Sequence, residues 1–316
     1  MTDGGSGLRV LFAGTPAVAV PSLDRLVQDG FEIVAVLTRE DAPVGRKRIL
    51  TPSPVAARAG ELGVPVIRAN RIDQNAMEAI RAAAPDVAAI VAYGGLVPET
   101  ALGIPQHGWI NLHFSLLPAW RGAAPVQHAV INGDDVTGAS TFLLEKGLDT
   151  GPVYGTLTEA LRPEDTSGDV LERLSRSGAV LLSQTLAAVG AGKAAAVAQT
   201  GDVSLAPKLS LEDGHIDWQQ PALAIRRRIN GVTPEPGAWT MLAGQRFKLG
   251  PVRPRPETRD LPPGAVRLPG GSSASALVGT GSHAVELDKV QPAGKKMMDA
   301  ADWARGLGQR EDVHFE

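Results

Sequence analysis

Between positions 111 and 118 the chain reads Asn-Leu-His-Phe-Ser-Leu-Leu-Pro, and between 147 and 151 it reads Gly-Leu-Asp-Thr-Gly. In an extended conformation Asn111, His113 and Ser115 share one face, because strand side chains alternate. Asp149 adds a carboxylate in a glycine-flanked turn. A carboxamide donates two hydrogen bonds, an imidazole titrates near neutrality, and a nearby carboxylate favours and orients the imidazolium. Together these groups suit the stabilisation of an oxyanion and the movement of protons, which is acyl-type transfer rather than redox or phosphate chemistry. A satisfied histidine beside a turn aspartate fits the same three residues, so the surrounding sequence must decide.

The elements that would position them alternate between helix and strand. Leu8–Ala13 predicts a buried strand, followed by Gly14-Thr15-Pro16 with Thr15 as a candidate N-cap and Pro16 at the first helical position. A helix should then run to Asp29-Gly30. Further strands are predicted at Ile33–Thr38, Val64–Ile67, Val87–Ala92 and Trp109–Phe114, and a helix at Asn75–Ala84. The pattern predicts a parallel-type α/β sheet, closed by a long helix over Gly168–Val189. The first turn has one glycine where a nicotinamide fingerprint needs three, which argues against a classical dinucleotide site. Ligands in open α/β sheets still bind beyond the carboxyl ends of strands, and Asn111–Ser115 lies at such an end.

Residues 191–207 are rich in alanine, glycine and polar residues and read as a linker. Beyond them the pattern changes to one helix (Pro221–Asn230) and then short segments, Ala238–Leu242, Arg246–Leu249, Ala276–Gly279 and Ala284–Val290, punctuated by proline and glycine. That is the pattern of a small β-barrel or sandwich. Pro251–Pro263 reads as an exposed loop. The expected division is thus 1–190, a linker at 191–207, and 208–316.

The 316 residues suffice for two domains, and 43% hydrophobic with 21% charged residues is ordinary for a globular chain. The absence of cysteine removes disulfides, thiolate nucleophiles and cysteine-based zinc sites, and fits a reducing cytoplasm. The N-terminus has no basic stretch of the secretory type, and no apolar run reaches membrane-spanning length. Net charge is −3. Residues 208–316 carry 15 Lys and Arg against 13 Asp and Glu, while 1–207 carry 16 against 21, so the C-terminal part permits a nucleic-acid patch without demanding one.

The two motifs, with Trp120-Arg121-Gly122-Ala123-Ala124-Pro125 between them, resemble the folate-dependent formyltransferases. Phe12-Ala13-Gly14-Thr15-Pro16, Thr51-Pro52-Ser53-Pro54-Val55 and Ala92-Tyr93-Gly94 extend the resemblance toward the branch that acts on aminoacyl-tRNA. Lys208-Leu209-Ser210, Ile216-Asp217-Trp218 and Gln291-Pro292-Ala293-Gly294-Lys295-Lys296 extend it through the C-terminal part. It implies a Rossmann-like N-terminal formyltransferase domain followed by a smaller OB-like β-barrel. It implies a cytoplasmic enzyme that moves a formyl group from 10-formyltetrahydrofolate, as co-substrate, to the α-amine of methionine on initiator tRNA, without a metal, a membrane or an obligate protein partner.

The resemblance also assigns roles. Asn111 and His113 would stabilise the tetrahedral alkoxide, and His113 would protonate the departing folate nitrogen. Asp149 would hold His113 charged and relay the amine's proton. Ser115, Leu116, Leu117 and Pro118 match the folate-contacting stretch, and the pterin should lie near the backbone of Val91–Gly95, including Tyr93 and Gly94, and near Leu143–Gly147. The basic run Arg46, Lys47 and Arg48 matches a loop that enters the tRNA acceptor end, and Lys295 and Lys296 match phosphate contacts. Three departures stand out: Lys47 where glycine is expected, Phe114 where the family has a small residue, and Thr233–Pro236 in place of a segment that often carries tryptophan. Relatives that formylate a small amine, a formyltetrahydrofolate hydrolase, and an RNA-binding module with a spent enzyme half remain alternatives; the C-terminal motifs argue against the first and the intact Asn-His-Asp set against the last.

Overall fold

The computed structural model describes residues 7–45, 47–268, 276–308 and 312–316. It divides into two compact units: Met1–Gly122, Val136–Ala160 and Leu171–Leu205 form one, and Ala123–Asp135, Leu161–Val170 and Ala206–Glu316 form the other.

In the first unit the chain forms β1 (Arg9–Gly14), α1 (Val20–Gln28), β2 (Glu32–Thr38), β3 (Ala42–Val44), β4 (Ile49–Thr51), α2 (Pro54–Leu62), β5 (Val66–Arg68), α3 (Gln74–Ala83), β6 (Val87–Val91), α4 (Glu99–Leu102) and β7 (Trp109–His113). After α5 (Pro125–Asn132), which belongs to the second unit, come β8 (Val136–Leu143), β9 (Val153–Ala160) and α6 (Ser167–Gly190). Seven strands make one sheet in the order β5-β2-β1-β6-β7-β8-β9. The central strands β1 and β6 are almost wholly buried, which their unbroken Val, Leu, Ile and Ala runs require of a strand covered on both faces.

The sheet is not wholly parallel, as the alternation had implied. The pairings from β5 to β7 are parallel, but β7–β8 and β8–β9 are antiparallel. The link from β8 to β9 is only residues 144–152, too short for the crossover a parallel neighbour needs, so the chain turns straight back. Thr15 is not a helix cap either. Its hydroxyl donates to the Tyr93 carbonyl at 2.8 Å, and the helical segment starts after Pro16 without a side-chain cap.

Residues 191–205 do not behave as a free linker. The backbone of Val197 pairs with Val153 of β9, and the Arg121 amide donates to the Ser204 carbonyl at 2.9 Å. A polar, alanine-rich strand can pair through its backbone without any apolar periodicity to announce it.

The second unit contains α5, α7 (Ala222–Gly231), β10 (Ala238–Leu242), β11 (Gln245–Leu249), β12 (Val252–Arg255), β13 (Val266–Arg267), β14 (Leu277–Val278), β15 (Ala284–Leu287), β16 (Lys289–Gln291), β17 (Met298–Asp299) and α8 (Ala300–Leu307). Its strands form two four-stranded sheets, β10-β11-β16-β17 and β12-β15-β14-β13. One core serves both sheets, with Phe315 in ring contact with Trp218, Phe247 and Trp303, and Phe247 in contact with Trp303. The expected loop over Pro251–Pro263 contains β12. Pro254 conceals that strand in the sequence, yet β12 is an edge strand, where a missing N–H is tolerated. The architecture is the expected one: a Rossmann-like α/β unit and a smaller, strand-rich, OB-like unit.

Candidate active site

The site is built on β7. Asn111 lies between Ile90 of β6 and Phe142 of β8, and His113 closes the strand opposite Ser140. The two therefore share a face, while Leu112 between them is buried against the opposite side, where it approaches Gly178 of α6. The Asn111 side chain is half-buried and takes no hydrogen-bond partner among the described residues. Both donor hydrogens of its carboxamide are thus free for a ligand.

His113 is 7% exposed and lies edge-on to Phe142, with ring centroids 6.3 Å apart. Its Nε2 is 3.0 Å from the Trp120 carbonyl. A carbonyl only accepts, so Nε2 carries the hydrogen, and in the neutral ring Nδ1 bears the lone pair. Nδ1 faces Asp149 Oδ2 at 3.8 Å, beyond a direct hydrogen bond. Burial pushes the His113 ring below the usual imidazole value of 6.5; Asp149 and the Trp120 carbonyl pull it back upward, but less strongly. Against the expectation that Asp149 holds the ring charged stands its burial, which disfavours the cation more than the carboxylate favours it.

Asp149 sits in the turn between β8 and β9 with φ +50°. Its Oδ2 accepts from the Gly122 amide at 2.8 Å. The flanking glycines are needed there: Gly147 has φ +146°, and a Cβ on Gly151 would stand 1.7 Å from the Leu143 carbonyl oxygen.

The segment after α6 holds both halves of this pair. Gln199 Nε2 donates to the Asp149 and Gly151 carbonyls, each at 2.8 Å, and Arg121 donates from Nε and Nη2 to Gln199 Oε1 at 3.2 and 2.7 Å. Ser204 Oγ accepts from the Trp120 amide at 2.8 Å, behind the carbonyl that meets His113. None of these supports was foreseen, because a glutamine and a serine in a polar segment carry no periodic signal.

Other expected ligand residues divide. Ser115 leaves the shared face because β7 ends at His113. It is fully buried, and its hydroxyl donates to the Ala119 carbonyl at 2.6 Å, while its own carbonyl accepts from Ser140 Oγ at 2.7 Å. It ties the turn 115–119 together rather than facing a ligand. Leu116 and Leu117 are half-buried, Pro118 is buried, and the Leu117–Pro118 peptide is cis. The Tyr93 side chain points into the core, where its hydroxyl donates to the Ala69 carbonyl at 2.6 Å. What Tyr93 and the exposed Gly94 (φ +79°) leave for a ligand is backbone, at the end of β6 beside β7.

Lys47 and Arg48 lie exposed in the turn joining β3 to β4, an antiparallel hairpin. Arg46 lies outside the described residues. Val44, Ile49 and Leu50 flank this basic tip and are themselves more than half exposed. Lys295 and Lys296 are exposed in a turn after β16 closed by the Lys295 amide on the Pro292 carbonyl, with Gly294 at φ +73°. Among the described residues no group of three or more His, Asp or Glu side chains is placed to hold a metal, and no helix is long and apolar enough to cross a membrane.

Residues 8–186 match the formyl transferase model, and residues 208–308 match the model of the formyl transferase C-terminal domain. A protein from Pseudarthrobacter chlorophenolicus named methionyl-tRNA formyltransferase is 73% identical over 98% of this chain and 100% of its own length. A protein of the same name from Paenarthrobacter aurescens is 72% identical with the same coverage, and one from Streptomyces avermitilis is 55% identical over 95% of this chain and 97% of its own. Among solved structures, the N-formyltransferase of Helicobacter canadensis, in complex with folinic acid and dTDP-3-aminofucose, has a TM-score of 0.67 at 14% identity, covering 90% of this chain and 99% of that one. The methionyl-tRNA formyltransferase of Clostridium thermocellum has a TM-score of 0.58 at 12% identity, covering 90% and 98%. At these identities the two structures speak to the fold alone. Two family models in sequence order and relatives above 70% identical over nearly the whole length place the chain in the formyl transferase family.

Proposed function

We propose that this protein transfers the formyl group of 10-formyltetrahydrofolate to the α-amine of methionine esterified to initiator tRNA, in the cytoplasm. One observation carries the chemistry: a free carboxamide, a buried imidazole and a carboxylate sit together at the carboxyl end of β7, with Nδ1 of His113 facing Asp149 Oδ2 across 3.8 Å. The identity of the acceptor is supported by the name shared by the relatives that match this chain end to end.

The proton inventory follows from the tautomer. As the amine nitrogen bonds to the formyl carbon, the carbonyl π pair moves to oxygen, and Asn111 donates to the resulting alkoxide. The lone pair on His113 Nδ1 takes the surplus proton of the attacking nitrogen. The imidazolium so formed is stabilised by Asp149 and by the Trp120 carbonyl on its far side. When the intermediate collapses, the bond from the formyl carbon to the folate nitrogen breaks, and the proton on Nδ1 goes to that nitrogen. His113 ends as it began. Burial suits this role: a ring that rests neutral accepts a proton, and one that finds a carboxylate beside it is stable long enough to give it back.

The folate is assigned to the exposed backbone after β6, at Tyr93 and Gly94, and to the apolar wall of Leu116, Leu117 and Pro118, with Ser115 shaping that wall from within. The tRNA is assigned to the basic tip at Lys47 and Arg48, to Arg46, which precedes them in the sequence, and to Lys295 and Lys296. The deciding experiment measures transfer of labelled formyl from 10-formyltetrahydrofolate to charged initiator tRNA, with charged elongator methionine tRNA as the control. Selective formylation of the initiator supports the proposal; transfer to neither, with turnover of a small amine or of water, overturns it.

A further inference from the structure

The amide of Gln199 is held in a single orientation by its surroundings. Arg121 offers only donors, so the amide oxygen must face it; the Asp149 and Gly151 carbonyls only accept, so the amide nitrogen must face them. The three fixed ends leave no second arrangement that keeps the bonds. Both carbonyls belong to the turn that presents the Asp149 carboxylate, and Asp149 itself has a left-handed backbone, φ +50°, which a side-chain residue adopts at a cost of about 1 kcal/mol or more. Within the turn, Thr150 Oγ1 bonds Glu145, which is a local contact. Besides His113, the partners of Asp149 from outside the turn among the described residues are the Gly122 amide, hydrogen-bonded to its carboxylate, and Gln199, hydrogen-bonded to its carbonyl. Gln199 is therefore placed to set the gap between Asp149 and His113, at a distance in sequence where nothing in the catalytic motifs points to it.

We infer that Gln199, oriented by Arg121, is a positioning residue of the formyl-transfer reaction: it fixes the turn that aims the Asp149 carboxylate at His113 Nδ1. This rests on the proposed role of Asp149. Displacing a reacting group by about 1 Å can cost on the order of 100-fold in rate, and loss of an outer-shell hydrogen-bond partner typically costs about 10- to 100-fold.

Gln199→Glu is the informative variant. It keeps the size of the side chain and strengthens the pairing with Arg121, so the local chain stays anchored, but it replaces the donor to the two carbonyls with an acceptor. The inference predicts that kcat falls about 10- to 100-fold in Gln199→Glu, and as much in Gln199→Ala, while KM for tRNA stays within about twofold. It also predicts a spectroscopic mark. The Gly122 amide proton, which donates to Asp149 Oδ2, should move upfield in a ¹H–¹⁵N spectrum of the free protein as that bond lengthens. Asp149→Ala is run alongside. If Asp149→Ala retains full turnover, the catalytic reading itself is wrong. If Asp149→Ala is inactive while folded Gln199→Glu keeps wild-type kcat and an unmoved Gly122 resonance, the positioning role is wrong. A drop in melting temperature alone, with kcat intact below the transition, also overturns it.

Discussion

Neighbouring residues on β7 should separate chemistry from stability. Asn111 and Leu112 differ by one position, and alternation sends them to opposite faces of the sheet. Asn111 is half-buried with no hydrogen-bond partner among the described residues, so Asn111→Ala strands no buried donor or acceptor. Its effect on folding should stay within about 0.5 kcal/mol, the range of changes that touch no packed or bonded group. Its effect on the reaction should be that of a lost oxyanion donor, about 3 kcal/mol, or 100- to 1,000-fold in kcat. Leu112 is 2% exposed and packs toward Gly178 of α6, so Leu112→Ala opens a cavity worth about 2–5 kcal/mol of stability. Below its melting transition it should keep kcat within a few-fold, since its side chain never reaches the site. The assay pairs urea unfolding with single-turnover formyl transfer for each variant. If Asn111→Ala keeps kcat within threefold, or if its loss of rate tracks a loss of stability as large as that of Leu112→Ala, then Asn111 is a structural residue and the oxyanion argument fails.

Four further outcomes follow from the same geometry. Asp149→Asn removes the group that raises the His113 ring against burial, so the ring's titration, read from its Cε1 proton, should move to still lower pH; an unmoved midpoint would exclude electrostatic coupling across the 3.8 Å gap. In the wild-type protein, a histidine titrating below its unfolded value of 6.5 lets the unfolded chain bind the proton first, so this residue's contribution to stability is full above pH 6.5 and declines as pH falls toward the lowered value; His113→Gln should flatten that part of the stability profile. Gly151→Ala would place a methyl 1.7 Å from the Leu143 oxygen, so the turn must move, and kcat should fall at least 10-fold with a lowered melting temperature; wild-type kcat would show that Asp149 does not depend on the turn. Lys295→Ala and Lys296→Ala touch an exposed turn, so thermal stability should not change, while tRNA affinity falls at low salt and the salt slope shrinks by about one per lost phosphate contact; an unchanged slope removes these lysines from the interface.

What the sequence announces and what it hides differ for physical reasons. The central strands are legible because burial on both faces demands an uninterrupted apolar run, as in Val87–Val91. The pair Asn111 and His113 is legible because the strand period fixes their common face. The same rule misplaces Ser115, since the period holds only while the strand lasts, and β7 ends at His113. The antiparallel edge is hidden because the alternation of helix and strand says nothing of direction; the shortness of residues 144–152 decides it for β8 and β9 alone. Tyr93 shows a further gap: a motif marks which residues sit beside a ligand, but not whether a residue offers its side chain or its backbone. Here the hydroxyl is committed to the Ala69 carbonyl, so only the main chain remains for binding.

The state of charge of His113 is the least legible feature of all, and in the proposed mechanism it decides the direction in which the first proton moves. Composition and spacing place a carboxylate near an imidazole, and that pairing alone argues for a resting cation. Three-dimensional burial reverses the balance, because removing the ring from water costs the charged form more than one carboxylate at 3.8 Å returns. The carboxylate is also partly spent elsewhere, on the Gly122 amide. A resting cation could only donate, so the attacking amine's proton would have to go to Asp149 instead. A resting neutral ring with Nε2 tied to the Trp120 carbonyl leaves Nδ1 as its one free basic site, facing Asp149. In the proposed mechanism acceptance therefore precedes donation, and the depth at which one side chain is buried is what favours that order.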